Sequence, residues 1–278
     1  MIYLGATPNQ QIIPTIEWAY AFQRKRRFFL VGSDYIFPHA ANAIIHDTLA
    51  DLGAELVGEE YLPLGSYDVQ DVIAKIVAAK PDVILNTING DSNIPFFRAL
   101  RAAKITPDRI ATISFSIGEE ELRHLNAAEM AGDYAAWSYF QSIDLPENHK
   151  FIDRFRAKYG PQRVLNDPME AAYVGVLLWG QAVKQVQGDC TEELRKAFVE
   201  QRMMSPEGEV ELDPLTQHTY QTPRIGQITP NGQFDIIWKS VKLQKPIPFP
   251  PSRTPQQWQA FLDGLYTQWH EQWSAPAK

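Results

Sequence analysis

Apolar residues in the first half of the chain alternate between short continuous runs and helically spaced stretches. "QQIIPTIEWAYAFQRK" has helical spacing, with Pro14 near the start, where a proline is tolerated. "RFFLVGS" reads as a short buried strand, and "AANAIIHDTLADLGAEL" as a helix that stops at Gly53. "AELVGEEYLPLG" predicts a strand leading into a loop, and "DVQDVIAKIVAAKP" an amphipathic helix ended before Pro81. The pattern repeats with "DVILNTI" as strand, "GDSNIPFFRALRAAKI" as turn and helix, and "ATISFS" as strand. "GEEELRHLNAAEM" then reads as one helix and "GDYAAWSYFQ" as strand. Strands alternating with helices of this length predict an α/β fold, a parallel sheet covered by helices on both faces.

The alternation ends near Trp137. "NHKFIDRFRAKYG", "DPMEAAYVGVLLWGQAVKQV" and "TEELRKAFVEQ" are consecutive helices. Beyond them "SPEGEVELDPLTQHTYQTPRIGQITPNGQFDIIWKS" alternates, and "PNGQ" between two apolar runs predicts an antiparallel hairpin. "KPIPFPPSRTP" is an extended, proline-rich linker. The last helix, "QQWQAFLDGLYTQWHEQWS", puts Trp258, Leu262, Leu265 and Trp269 on one face, and Trp273 continues it. That face is expected to dock on the body of the protein; the sharper alternative is cover for a bare surface, or a partner.

Composition narrows the function. The 278 residues suit one large domain or two small ones, and the net charge is −7. Nucleic-acid binding needs a concentrated basic surface; the only dense basic run, Arg24 to Arg27, reads as a solvated helix end. A single cysteine, Cys190, excludes a disulfide within the chain and a cysteine-rich metal site. No apolar run approaches the ~20 residues that span a bilayer. The opening "MIYLGATPNQ" lacks the basic and apolar regions of a signal peptide, which implies a cytoplasmic protein or a beginning that lies upstream.

Catalytic and cofactor signatures are missing too. No strand is followed by G-x-G-x-x-G or a Walker loop, "GSDYI" is not a nucleophile elbow, and six histidines lack zinc-site spacing. No cofactor, metal or catalytic set is expected. Glu119 to Glu121 stack acids at a helix start, where they favour the helix dipole; a catalytic or ligand role for Glu119 is the alternative. More informative is that three predicted strands end in small polar residues. The first ends in Gly32, Ser33, Asp34 and Tyr35, with Phe37 close behind. The second ends in Asn86, Thr87, Asn89, Gly90, Asp91 and Ser92, and the third in Ser114 and Ser116. Such ends line the ligand crevice of a doubly wound sheet. The competing explanation is helix capping by Asp91, Ser92 and Ser116.

"TPNQQIIP", "FFLVGSDYIFP", "GEEYLPLG", "NTINGDSNIPFFRAL", "SFSIGEEEL", "YFQSIDLPEN", "DPMEAAYVGVLLW" and "PEGEVELDPLTQH" occur in this order. Over residues 2 to 248 the series resembles the urea and short-chain-amide substrate-binding proteins of ABC transporters. These are type I periplasmic binding proteins of the branched-chain amino-acid-binding family, a group that includes the amide sensor of amidase expression. The resemblance implies a type I fold: one complete doubly wound parallel-sheet lobe plus a helical remnant of the other. Residues 1–138 and 206–242 would form the second ligand-binding lobe, 139–205 the helical remnant, and 246–278 an added linker and Trp-rich helix. Most of the first lobe has no counterpart, so the partners implied include a missing lobe or second chain beside an ABC permease or signalling partner. By motif position Tyr35 and Phe37 match aromatics facing the ligand. Asn89, Gly90 and Asp91 match the second ligand loop, and Ser116 the third.

The function implied is non-catalytic binding of a small neutral amide, extracytoplasmic for a transporter component. The alternatives are a cytoplasmic amide-sensing domain of the same fold and, less favoured, an amide-processing enzyme. In the proposed site Asp91 accepts from an amide N–H, Ser116 meets the carbonyl or nitrogen, and Tyr35 supplies a flat wall.

Overall fold

The computed structural model describes residues 1–188 and 190–276. Its larger sheet is laid down by β1 (Arg27–Ser33), β2 (Glu55–Leu62), β3 (Val83–Thr87), β4 (Ala111–Ser114) and β5 (Tyr134–Trp137). All five run parallel in spatial order 2-1-3-4-5. β9 (Arg224–Ile228) and β10 (Phe234–Lys239) extend the sheet beyond β5 as an antiparallel hairpin. Its turn is where "PNGQ" places it, with the Thr229 N–H donating to the Gln233 carbonyl at 2.9 Å.

The apolar run of β1 follows from burial on both sides. Phe29 and Val31 enter one core, with Val72, Ile73 and Ile76 of α3 (Gln70–Ala79) and Phe96, Phe97 and Leu100 of α4 (Asn93–Ala102). Phe28 and Leu30 enter the other, with Ile12 and Ile16 of α1 (Ile12–Ala21), Ile45 and Leu49 of α2 (Ile36–Leu52), and Trp258 of the last helix. A two-residue period feeding two helical layers is the doubly wound arrangement the sequence predicts.

Three expectations change in detail. α2 begins at Ile36, earlier than its apolar spacing suggests, because Pro38 fits within a first helical turn. It ends as expected, at Gly53 with φ 66°. The single helix expected over 118–130 is two short pieces, α5 (Glu119–Leu122) and α6 (Ala127–Met130). The last helix, α10 (Pro255–Gln268), stops before Trp269, and His270 and Glu271 turn the chain back with φ 54° and 62°. Trp273 therefore does not continue the helical face; it folds back against Tyr266, ring centroids 4.6 Å apart.

Beside the sheet lie α7 (Pro146–Tyr159), α8 (Asp167–Val186) and α9 (Thr191–Phe198). With them goes a small antiparallel sheet of β6 (Arg202–Ser205), β7 (Gly208–Leu212) and β8 (Thr219–Tyr220). Val174, Leu178, Phe198, Val210 and Leu212 form a separate core here, and Leu4 packs against it. The chain therefore passes between the two units three times: after Leu4, after Trp137 and before Arg224.

Candidate functional site

In a 2-1-3-4-5 sheet the winding reverses between β1 and β3, and the carboxyl ends of those strands flank a crevice. Here they are tied together. The Asn89 N–H donates to Ser33 Oγ at 2.9 Å, joining the tips of β3 and β1. The Ser116 hydroxyl donates to the Ile88 carbonyl, joining the tips of β4 and β3. Gly32 permits this closeness: a Cβ there would stand 2.6 Å from Thr87 Oγ1 and 2.7 Å from Pro38 Cβ. Gly90, with φ 68°, turns the second tip through a conformation that favours glycine.

Beneath the tips lies a layer of buried amides. Asn86 Nδ2 donates to Asn93 Oδ1 (3.0 Å) and Ser114 Oγ (3.1 Å), while its Oδ1 accepts the Ile88 N–H at 2.9 Å. Asn93 Nδ2 donates to the carbonyls of Ile88 (2.9 Å) and Gly90 (3.2 Å). Asn93 was not among the candidates from sequence. Its signal was the pair of asparagines seven apart in "NTINGDSN", which a turn places face to face.

The expected site residues divide as follows. Asn89, Gly90, Asp91 and Ser116 stand on neighbouring tips, Gly90 and Asp91 exposed and Asn89 and Ser116 half-buried. Tyr35 stands two residues past β1, and burial raises its phenol above the ordinary value. Phe37 lies 6.3 Å from Tyr35, ring to ring, but packs against the α1–α2 core. Capping does not explain the tips: no side chain caps α4, the buried Ser92 hydroxyl has no partner among the described residues, and α5 is preceded by Gly118 rather than Ser116.

Of the two carboxylates at the tips, Asp91 is exposed and Asp34 is already paired. Asp34 Oδ1 meets His39 Nε2 at 2.8 Å, and the His39 ring stacks flat on Tyr61, centroids 3.7 Å apart. Behind them burial would raise Glu59, but hydrogen bonds from His46, Tyr61 and Asn42 outweigh it and hold the carboxyl at about 2. This group borders a cleft of ≈ 330 Å³ under Arg253 and Phe261. Larger clefts of ≈ 460 and ≈ 470 Å³ lie elsewhere, and no strand-tip residue lines them.

The crossings between the units are polar, which the sequence did not reveal. Gln221 Nε2 donates to the Leu4 carbonyl (2.7 Å) and its Oε1 accepts the Ser138 hydroxyl (3.0 Å), so one side chain joins all three crossings. Arg224 donates to the carbonyls of Ser138, Thr222 (3.0 Å) and Glu207 (2.6 Å). Around it burial lifts Asp167 to about 6, against the N–H groups of Tyr139 and Ser138, and Glu170 to about 8. Glu207 is raised by burial and then by the charge of Glu170. Glu119 does not serve the helix dipole alone. Its side chain is buried, Oε1 accepts the Gln141 N–H at 2.6 Å, and burial pushes the carboxyl up to about 8.

Among the described residues no group of three or more His, Cys, Asp or Glu is placed to hold a metal, and no helix is long and apolar enough to cross a membrane. A 2-1-3-4-5 lobe with polar tips at its reversal, joined by three crossings to a helical unit, is the architecture of a type I periplasmic binding protein. The chain belongs to the periplasmic binding protein domain family, whose model matches residues 1–255.

Similar solved structures include an ABC transporter solute-binding protein from R. palustris in complex with 4-hydroxybenzoate. It is 20% identical, with TM-score 0.78 over 87% of this chain and 67% of that one. A second, from Rhodopseudomonas palustris BisB5 with 3,4-dihydroxybenzoic acid, is 21% identical, with TM-score 0.78 over 87% and 68%. A leucine-binding protein from Thermotoga maritima is 16% identical, with TM-score 0.70 over 84% and 65%. At these identities the likeness is one of fold. Limonene hydroxylase from Geobacillus stearothermophilus is 32% identical over 124 residues, 45% of this chain and 22% of that protein. The chain thus spans about two thirds of the solved chains it matches and 22% of that curated relative.

Proposed function

We propose that this chain binds a small neutral amide, urea or a short-chain amide, without catalysis, as the solute-binding component of an ABC transporter. The observation that carries the reading is the joining of three strand tips at the sheet's reversal by uncharged donors and acceptors. Residues 33–38, 86–93 and 114–118 contain no Lys or Arg, and Asp34 is paired with His39. An anionic solute would meet no cationic side chain there, whereas an amide meets hydroxyl, amide and carboxylate groups. Urea has almost no apolar area, so selection rests on complete pairing, and each unpaired buried partner costs ~1–3 kcal/mol. Asp91 accepts from the amide N–H, Ser116, whose proton goes to the Ile88 carbonyl, accepts from the ligand nitrogen, Asn89 and Gly90 shape the second loop, and Tyr35 forms the wall. Phe37 supports Tyr35 from the core side.

The chain supplies one wall, and a permease and an opposing lobe, on this or a second chain, complete the working protein outside the cytoplasm. We place the sheet lobe, 1–138 and 206–242, against the helical unit, 139–205, with 246–278 as an added tail. One refinement is that residues 1–4 and β6–β8 group with the helices and the lobe resumes at Arg224. An amide-sensing domain of the same fold is the second reading, favoured by the tail that docks on the loop after β1.

Calorimetric titration of the full chain with urea and acetamide tests the proposal. Saturable heat that falls about tenfold in affinity in Asp91→Ala is the expected result, a charge-assisted hydrogen bond being worth ~1.5–3 kcal/mol. Wild-type affinity in Asp91→Ala removes that residue from the site, and ammonia release would instead indicate an enzyme.

A further inference from the structure

We propose that the C-terminal segment from Arg253 to Ala275 is a positioning element of the ligand site: it clamps the Asp34–Phe37 loop and so fixes Tyr35. The inference rests on the reading of the strand tips as a ligand wall.

The segment is anchored first. Arg253 grips the Asp47 carboxylate of α2 with two bonds of 2.8 Å and lies over the Trp258 ring, 4.7 Å from its centroid. Trp258 is buried in the α1–α2 core, and its Nε1 donates to the Pro250 carbonyl at 2.9 Å. Docking of the helix is complete at Trp269, yet the chain then reverses and returns to β1. There the Ile36 N–H donates to the Trp273 carbonyl (2.9 Å) and the Ala275 N–H donates to the Asp34 carbonyl (3.0 Å), pairing Ser274 with Tyr35 in an isolated antiparallel bridge.

These bonds supply what α2 lacks. Ile36 is its first residue, and the first N–H groups of a helix have no partner within it. Tyr35, in the capping position, offers no side-chain bond, so the Trp273 carbonyl serves instead. Side chains hold the same loop. Trp269 sets its edge against His39 (5.0 Å, 76°), His39 lies flat on Tyr61, and its Nε2 meets Asp34 Oδ1 at 2.8 Å. Asp34 is therefore fixed through both its carbonyl and its carboxylate, and Tyr35 sits between two clamped neighbours. A helix that docked only to bury tryptophan would need none of the pairing beyond Glu271.

Three variants of the full chain test this. Ala275→Pro removes the N–H that bonds Asp34, Ala275→Ser keeps it, and a chain ending at Glu271 removes the returning strand while leaving α10. Amide hydrogen exchange read by NMR should show Ile36 exchanging about fivefold faster or more in Ala275→Pro and in the shortened chain, as one hydrogen bond is lost. Leu30 in β1 should keep its protection, and Ala275→Ser should match wild type. Affinity for acetamide should fall with the same pattern. Unchanged exchange at Ile36 in the proline variant overturns the clamp. Faster exchange with unchanged acetamide affinity overturns its role in the site. If wild type binds neither urea nor acetamide, the amide reading fails while the exchange data still decide the clamp.

Discussion

Glu119 illustrates how far a single residue can be read from sequence. Three consecutive acids at a helix start satisfy the helix dipole, and nothing in "GEEEL" shows that the first turns inward. In the structure it reaches across to the Gln141 N–H just past the second crossing, where burial pushes its carboxyl up to about 8. The folded protein then holds a proton that the unfolded chain releases near 4.5. Between those values the unfolded state binds fewer protons, so stability falls as pH rises from about 4.5 to about 8 and levels off above. Glu119→Gln mimics the protonated form. Guanidinium chloride denaturation at several pH values should show a shallower decline in this variant than in wild type. An identical slope in the two would mean that Glu119 is ionised in the fold.

At the scale of elements, the strands were more legible than the joints between them. β1 coincides with "RFFLVGS" because a strand buried on both faces must be apolar throughout, and Gly53 ends α2 because only a left-handed residue closes that helix comfortably. The tail helix was legible for the same reason: Trp258, Leu265 and Trp269 share one buried face. Its reversal was not, since His270 and Glu271 adopt positive φ without glycine. Nor was the crossing, where contacts join residues far apart in sequence. Gln221 holds Leu4 and Ser138 there, and the side chain is nearly inaccessible. Gln221→Leu keeps the volume but leaves the Leu4 carbonyl and Ser138 hydroxyl without that partner. A loss of ~1–3 kcal/mol in chemical denaturation is expected. Wild-type stability would show that the three crossings hold without it.

For the whole molecule, the alternation of strands and helices announced a parallel sheet, and the polar ends of three runs lie on neighbouring strand tips. Spatial order needed the structure, because only there does β1 fall between β2 and β3 and bring Ser33 beside Asn89. The central claim is that these tips bind a small neutral amide. It is tested most directly by mapping backbone and side-chain amide shifts of the isotope-labelled chain during titration with acetamide. The account predicts saturable shifts centred on Tyr35, Asn89, Gly90, Asp91 and Ser116, with His46 and the cleft beneath Arg253 silent. Shifts centred on that cleft, or none at saturating acetamide, would contradict it.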